Sequence, residues 1–319
     1  MSQIYTRHDQ YDKEHCWQYD IRLNNLDKDI ESTPLSKKQI ESLTADDFYF
    51  DYVPKENKPG CTEIRQFIER HEWLGTLPNR PTHRFVARTK EHDLLAGVII
   101  MAVPNTFSGL LGKDRVDWDK VQMMPCDLEK LVSRGACISW SPKNLASWLI
   151  MRSIHWMVKN TSFRLFTAYS DPEAKELGTV YQACNWMYLG CGSGTIERYF
   201  DPENPDYGWF SDRNFRHKSK YFRYFREARE QGIIKEDWNP VWMGKYTPKW
   251  TEMPEHVVHI LKQGAKDYQE RCVCREVPAK HKYAYILGAD KRETRLLQRE
   301  FARLNPDKVG LDYPKERGK

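Results

Sequence analysis

The sequence predicts an α/β or α+β domain, a mixed sheet covered by helices, on three observations. Between residues 61 and 200, segments of helical and strand period alternate as helix, hairpin, strand, helix, strand, helix, strand. The second arm of the hairpin, residues 94–103, is almost wholly apolar, as a strand buried on both faces would be. Residues 163–191 then run strand, Ser170-Asp171-Pro172 turn, helix and aromatic strand without a break.

Taken in order, residues 1–60 read as an acidic, irregular extension with one helix over 36–43 and an aromatic run, Phe48-Tyr49-Phe50, ending at Pro54. Pro59-Gly60 reads as a boundary. Residues 62–70 predict a helix with Thr62 as N-cap and Ile64, Phe67 and Ile68 on one side, stopped by HEWLG. The hairpin 83–89 and 94–103 turns at Glu91-His92-Asp93. Residues 104–130 look inserted, and 135–140 predict a strand broken by Ser141-Pro142. Residues 145–159 predict a buried helix, 179–184 a short one, and Thr195–Phe200 a last strand of the core. Beyond it lie a basic, aromatic stretch (213–229), a helix over 254–271, a strand over 280–287 and a helix over Lys291–Leu304. The expected division is an extension (1–60), a core (61–200) and a basic C-terminal region (201–319) that completes the fold.

With 11 Trp and 17 Tyr the chain is built to fold, and its many charges account for its low hydropathy. The net charge of +5 is uneven. Residues 1–60 hold 8 Lys+Arg against 12 Asp+Glu, a net of −4, which leaves +9 for the rest. That asymmetry permits a nucleic-acid partner. Eight scattered Cys without paired spacing, no leader at the start and no apolar run near ~20 residues predict a reduced cytoplasmic protein with no membrane contact.

Chemistry concentrates in 163–191. Asp171 falls at a strand end, where α/β folds place functional groups, although a carboxylate before Pro is most often a turn residue. Tyr181 falls on the following helix, where a phenol can donate a proton at neutral pH or simply pack between helix and sheet. The pattern LGTVYQACNW is similar to the closing segment of GCN5-type N-acetyltransferases, whose Tyr can protonate a leaving thiolate. That resemblance demands a glycine-rich loop for the pyrophosphate of coenzyme A, yet Ser141–Ser147 reads SPKNLAS, with no glycine and with bulky Leu145. The expectation is therefore against ordinary acetyl-CoA use, with the donor unassigned.

The run YSDPEAKELGTVYQACNW, with HEWLG, RGACISWSPKNLAS and KHKYAYILG, resembles the phage Mom-type DNA-modification proteins, which have an acetyltransferase-like (GNAT-like) fold. The resemblance covers 61–200 and 278–315. It implies modification of adenine in DNA to N6-carbamoylmethyladenine or a related product, protecting phage DNA from restriction in an infected bacterium. It places functional positions on Arg134, Ser147, Asp171 and Tyr181. The family's His-Tyr pair falls on Glu72-Trp73, next to His71. These three, with Asn185, are the substrate-binding candidates, Trp73 as a stacking wall for an extruded base. Should that pair hold iron, Glu72 and Asp171 are the possible ligands.

Double-stranded DNA is the expected partner, with a homodimer left open. Its contacts are expected at Arg213, Arg216, Lys218, Lys220, Arg223, Arg226, Lys280 and Lys282, with Lys291, Arg292, Arg295 and Arg299 behind them. A solvated basic face is the bland alternative for all of them. The competing functions are an N-acyltransferase acting on a small amine or an aminated pyrimidine in phage DNA, and a non-catalytic DNA-binding protein.

Overall fold

A computed structural model describes residues 16–78, 80–112, 116–118, 121–123, 125–192, 195–235, 242–243 and 247–315. Parts of the expected insertion at 104–130 and of the expected extension lie outside those residues. The chain forms two compact units, one of residues 11–193 with 279–319 and one of 1–10 with 194–278.

The larger unit is built on a seven-stranded sheet. Its strands are β1 (Phe48–Tyr52), β2 (Pro81–Thr89), β3 (Leu95–Ala102), β4 (Glu129–Cys137), β5 (Leu165–Ser170), β6 (Met187–Cys191) and a late strand, His281–Ile286, inserted between β5 and β6. All neighbours pair antiparallel except β4 and β5. Their parallel ladder runs from Glu129–Leu165 to Val132–Ala168 and stops, although β4 continues to Cys137 and β5 to Ser170. The two strands part there. A register shift in β4 opposite Ile100 and Met101 sets Ser133 out of the pairing and aims Arg134 at the gap.

Helices cover both faces. On one side α4 (Leu145–Asn160) buries Leu145, Leu149, Ile150, Ile154 and Met157 against Phe85, Ile99, Met101 and Phe166. Each such side chain contributes roughly 1.5–3 kcal/mol. On the other side α3 (Lys58–His71) lays Ile64, Phe67 and Ile68 on Val86, Val98, Ile100 and Ala136. This helix starts earlier than expected. Asn57 rather than Thr62 caps it, and Pro59 sits in its first turn, where the missing N–H costs nothing. Pro59-Gly60 is thus a helix start and not a domain boundary.

The first 60 residues are no mere extension. They supply α1 (Trp17–Glu31), which the irregular acidic pattern hid, α2 (Lys37–Ser42) with its Ser36 capping box, and the edge strand β1. The aromatic run was a strand in plain sight, its five residues paired with Phe85–Thr89.

The short helix α5 (Thr179–Ala183) enters through Gly178 at φ 68. A Cβ there would lie 2.5 Å from the Tyr283 ring, so both the left-handed backbone and the close approach demand glycine.

Thr195–Phe200 (β7), expected in the main sheet, instead joins a second one with β8 (Trp209–Ser211) and β9 (Val273–Pro278). Helices α6 (Lys218–Glu230) and α7 (Glu255–Arg271) complete that unit around Tyr199, Phe210, Phe215, Tyr224, Leu261 and Tyr268. The late strand of the main sheet is β10, followed by α8 (Lys291–Leu304), which buries Leu297 and Phe301 against Leu165, Ala284 and Ile286.

Candidate active site

Where β4 and β5 part, polar groups from four segments meet. The first is the end of α3, where Glu72 is 7% exposed and accepts from the Gly75 and Leu74 backbone N–H groups. The second is Arg134, whose Nε lies 3.9 Å from Glu72 Oε2 and donates to the Thr76 carbonyl at 2.7 Å. The third is the turn after β5. Asp171 caps its own turn by accepting from the Glu173 N–H, and Glu176 reaches back to accept from the Asp171 N–H at 3.2 Å. The fourth is Lys280, just ahead of β10, whose Nζ is 2.9 Å from Asp171 Oδ2. Tyr181 on α5 lies within electrostatic reach of Glu72, Arg134 and Glu176, its ring against Trp186 (5.0 Å) and Tyr283 (5.3 Å).

The electrostatics are unusual for a surface loop. Burial pushes the Glu72 carboxyl up to about 7, with the Arg134 charge and two backbone N–H groups opposing. Glu176 is likewise pushed up to about 7, by burial first and by the Glu72 and Asp171 charges besides. The Tyr181 phenol is raised further, by burial and then by the same two glutamates, so it stays protonated at any physiological pH. Glu176 and Tyr181 are packed about by protein yet keep solvent-accessible surface, as groups lining a cleft do. Glu176 was missed in the sequence because its loop reads as a solvated charge run. The signal was its place five residues after Asp171 in a turn that folds back on itself.

Other expected residues land elsewhere. The Trp73 indole is 8% exposed, edge-on to Trp17 at 5.3 Å, and donates to Glu176 Oε1 at 3.0 Å. It anchors a wall and offers no open face for stacking. His71 points away, under α1, with Nδ1 3.6 Å from the buried Asp29 carboxylate; burial lowers its pKa while Asp29 opposes. Ser147 bonds its own helix turn, Oγ to the Asn144 carbonyl at 3.0 Å. Asn185 is an exposed left-handed residue that ends α5.

Iron finds no support. Among the described residues no three His, Cys, Asp or Glu side chains are grouped to hold a metal ion, and Glu72 and Asp171 are instead engaged by Arg134 and Lys280. The expectation against acetyl-CoA rested on the start of α4. Leu145 is fully buried in the core rather than projecting at the loop, which corrects one reason for doubting the cofactor. The loop itself carries no glycine. Its backbone is held by α1 besides, with Arg22 donating to the carbonyls of Ser139 and Ser141, and Asp29 accepting from the Ser139 N–H. No step below is routed through either group.

The expected DNA contacts divide. Arg216, Arg223 and Arg226 pair with Asp212, Glu227 and Glu230. Lys220 sits against Tyr268 (4.6 Å) and Tyr207 (5.0 Å), and Lys218 against Phe222. Arg213 and Lys282 are exposed, and Lys280 belongs to the site. Residues 194–278 hold 15 Lys+Arg against 14 Asp+Glu, a net of +1, so this unit is not basic overall. The aromatic interleaving that suggested a phosphate-binding surface is the core-facing stripe of α6.

Residues 122–247 match the Mom protein family. The resemblance read from the sequence holds. The match takes in Arg134, Ser147, Asp171 and Tyr181 but neither Glu72-Trp73 nor Lys280. No curated protein matches the chain. Among solved structures it is similar to a GNAT family acetyltransferase from Elizabethkingia anophelis with acetyl-CoA bound, at 9% identity and a TM-score of 0.30, over 76% of this chain and 99% of that one. It is similar also to a GCN5-related N-acetyltransferase from Kribbella flavida (8% identity, TM-score 0.35, 77% of this chain and 73% of that one). A ribosomal-protein-S5-alanine acetyltransferase from Vibrio fischeri aligns at 14% identity and a TM-score of 0.27, over 56% of this chain and 76% of that one. The mixed sheet with its single parallel, parting strand pair is GNAT-like in its own right. No helix among the described residues is long and apolar enough to cross a membrane.

Proposed function

We propose that this transferase-like, Mom-type chain modifies DNA bases, adding a carbamoylmethyl or related small group to the exocyclic amine of adenine. What supports the reading is one convergence. Arg134 and Tyr181, both inside the family match, lie within electrostatic reach of one another and of Glu176, and Glu176 in turn bonds the backbone of the third matched residue, Asp171. Asp171, pinned by Lys280, orients the amine. Tyr181, kept protonated, donates to the leaving group. Arg134 supplies the positive charge for an anionic part of donor or DNA. An amine inside a duplex is reached only once its base is extruded. On this reading the chain works in the cytoplasm of an infected bacterium, on double-stranded phage DNA, against host restriction.

A second reading, N-acyl transfer to a small amine, draws on the GNAT-like sheet and the protonated phenol. One experiment separates the two. The chain is expressed in a bacterium and the host DNA is digested to nucleosides for mass spectrometry. A new deoxyadenosine adduct is expected, falling at least ~100-fold in Tyr181→Phe and Asp171→Asn. Tyr181→Phe keeps the ring contacts, so loss there is not loss of fold. Unmodified DNA beside acylated small amines would select the second reading.

A further inference from the structure

We propose that Glu176, rather than Asp171, receives the proton that the substrate amine gives up, with Glu72 as the neighbouring carboxylate that keeps it basic. This rests on the reading above and adds the atom on which the proton lands.

The three acids of the site are held differently. Asp171 is 4% exposed; one oxygen accepts the Glu173 N–H at 3.1 Å and the other faces the Lys280 ammonium at 2.9 Å. A carboxylate neutralised by an ammonium is a weak base. Glu72 is 7% exposed, with two backbone N–H groups and the Arg134 guanidinium on it. Glu176 is the least covered of the three, and its bonds come from neutral donors, the Trp73 indole at 3.0 Å and the Asp171 amide at 3.2 Å. Each oxygen retains a lone pair. The charged and titratable groups that face it are Glu72 from the end of α3, Arg134 from β4, Asp171 from its own turn, Tyr181 from α5 and Lys280 ahead of β10. Two carboxylates press on it directly, and the cations lie nearer to them than to it. The arrangement is that of a base left undercompensated.

In the step, an N–H bond of the exocyclic amine breaks and its electron pair stays on nitrogen to form the bond to an electrophilic carbon of the donor. The donor's leaving group departs with its own bonding pair. The proton passes to a Glu176 oxygen.

The test is the pH–rate profile of DNA modification by the full chain. Wild type is expected to lose activity as pH falls through neutrality. Glu176→Gln loses at least ~100-fold and the acid limb disappears. Asp171→Asn and Glu72→Gln both keep the limb and move it to lower pH, each by removing a negative neighbour of Glu176. A limb that survives in Glu176→Gln, or vanishes in Asp171→Asn, overturns the proposal. A readout independent of turnover is the Trp73 indole N–H resonance, assigned with Trp73→Phe. It should titrate near neutrality and stop doing so in Glu176→Gln. Should wild type leave DNA unmodified, the function reading falls, and this titration alone judges Glu176. A midpoint in the ordinary carboxylate range overturns the assignment; one near neutrality sustains it.

Discussion

Each unit holds a buried acid cluster, and the two are wired in opposite senses. In the smaller unit Asp201 is 3% exposed, and burial alone would raise its pKa. Hydrogen bonds from the Tyr268 hydroxyl (2.8 Å), the Asn204 amide (2.9 Å) and the Glu203 N–H (3.0 Å), with the Lys220 charge nearby, outweigh burial and lower it. In the larger unit Glu72 and Glu176 stand near one another, burial outweighs the groups that hold them, and both are pushed up to about 7. A saturated acid serves the fold. An undersupplied acid costs stability and is worth keeping only where protons move.

The largest effect expected from this contrast is in the smaller unit. Asp201→Ala takes the acceptor away from the Tyr268 hydroxyl, the Asn204 amide and the Glu203 N–H, and should cost about 1–3 kcal/mol. Denaturant unfolding of the full chain would show it as early loss of that unit. Glu176→Gln, in contrast, should leave stability unchanged or improve it at pH 7. Equal losses from the two substitutions would erase the distinction.

A smaller but sharper effect lies in the pH dependence. The folded chain binds the Glu176 proton more tightly than the unfolded chain does. The stability this lends is complete below the ordinary carboxylate pKa and is lost as pH rises through about 7. Wild type should therefore lose stability relative to Glu176→Gln between about pH 4.5 and 7, by at most about 1.4 kcal/mol per pH unit. For Asp201 the sign reverses. Its contribution is present above the unfolded pKa and is lost as pH falls through the lowered one. Thermal melts of wild type, Glu176→Gln and Asp201→Asn across pH 3–8 measure both slopes. Smallest of all, Arg226→Ala breaks an exposed pair with Glu230 and should shift stability by less than about 0.5 kcal/mol.

Much of this was legible beforehand because it is local. The turn at Asp171-Pro172, the glycine entry to α5 and the buried α4 follow from near neighbours in sequence. Arg134 could be named by resemblance, but the register shift that turns it into the gap depends on its pairing with β3. Glu176 was illegible for a like reason, since its meaning comes from Trp73 and Glu72, about a hundred residues earlier. His71 and Trp73 misled in the other direction. Beside Glu72 they read as pocket residues, whereas α1, unseen in its acidic context, covers both: Gln18 bonds the His71 carbonyl and the Trp73 N–H. In the Arg213–Arg226 stretch the ion pairs of Arg216, Arg223 and Arg226 were not legible, because pairing across one helical turn depends on which face is buried.

The late placement of β10 sets an order of assembly during synthesis. Residues 281–286 must slot between β5 and β6, and the whole of 194–278 leaves the ribosome before them. Until then the sheet has a gap, and Asp171 waits without Lys280. The candidate site is therefore complete only after the last strand arrives, so a nascent or truncated chain ending before Ala279 carries the family-matched residues but lacks the Lys280 contact to Asp171.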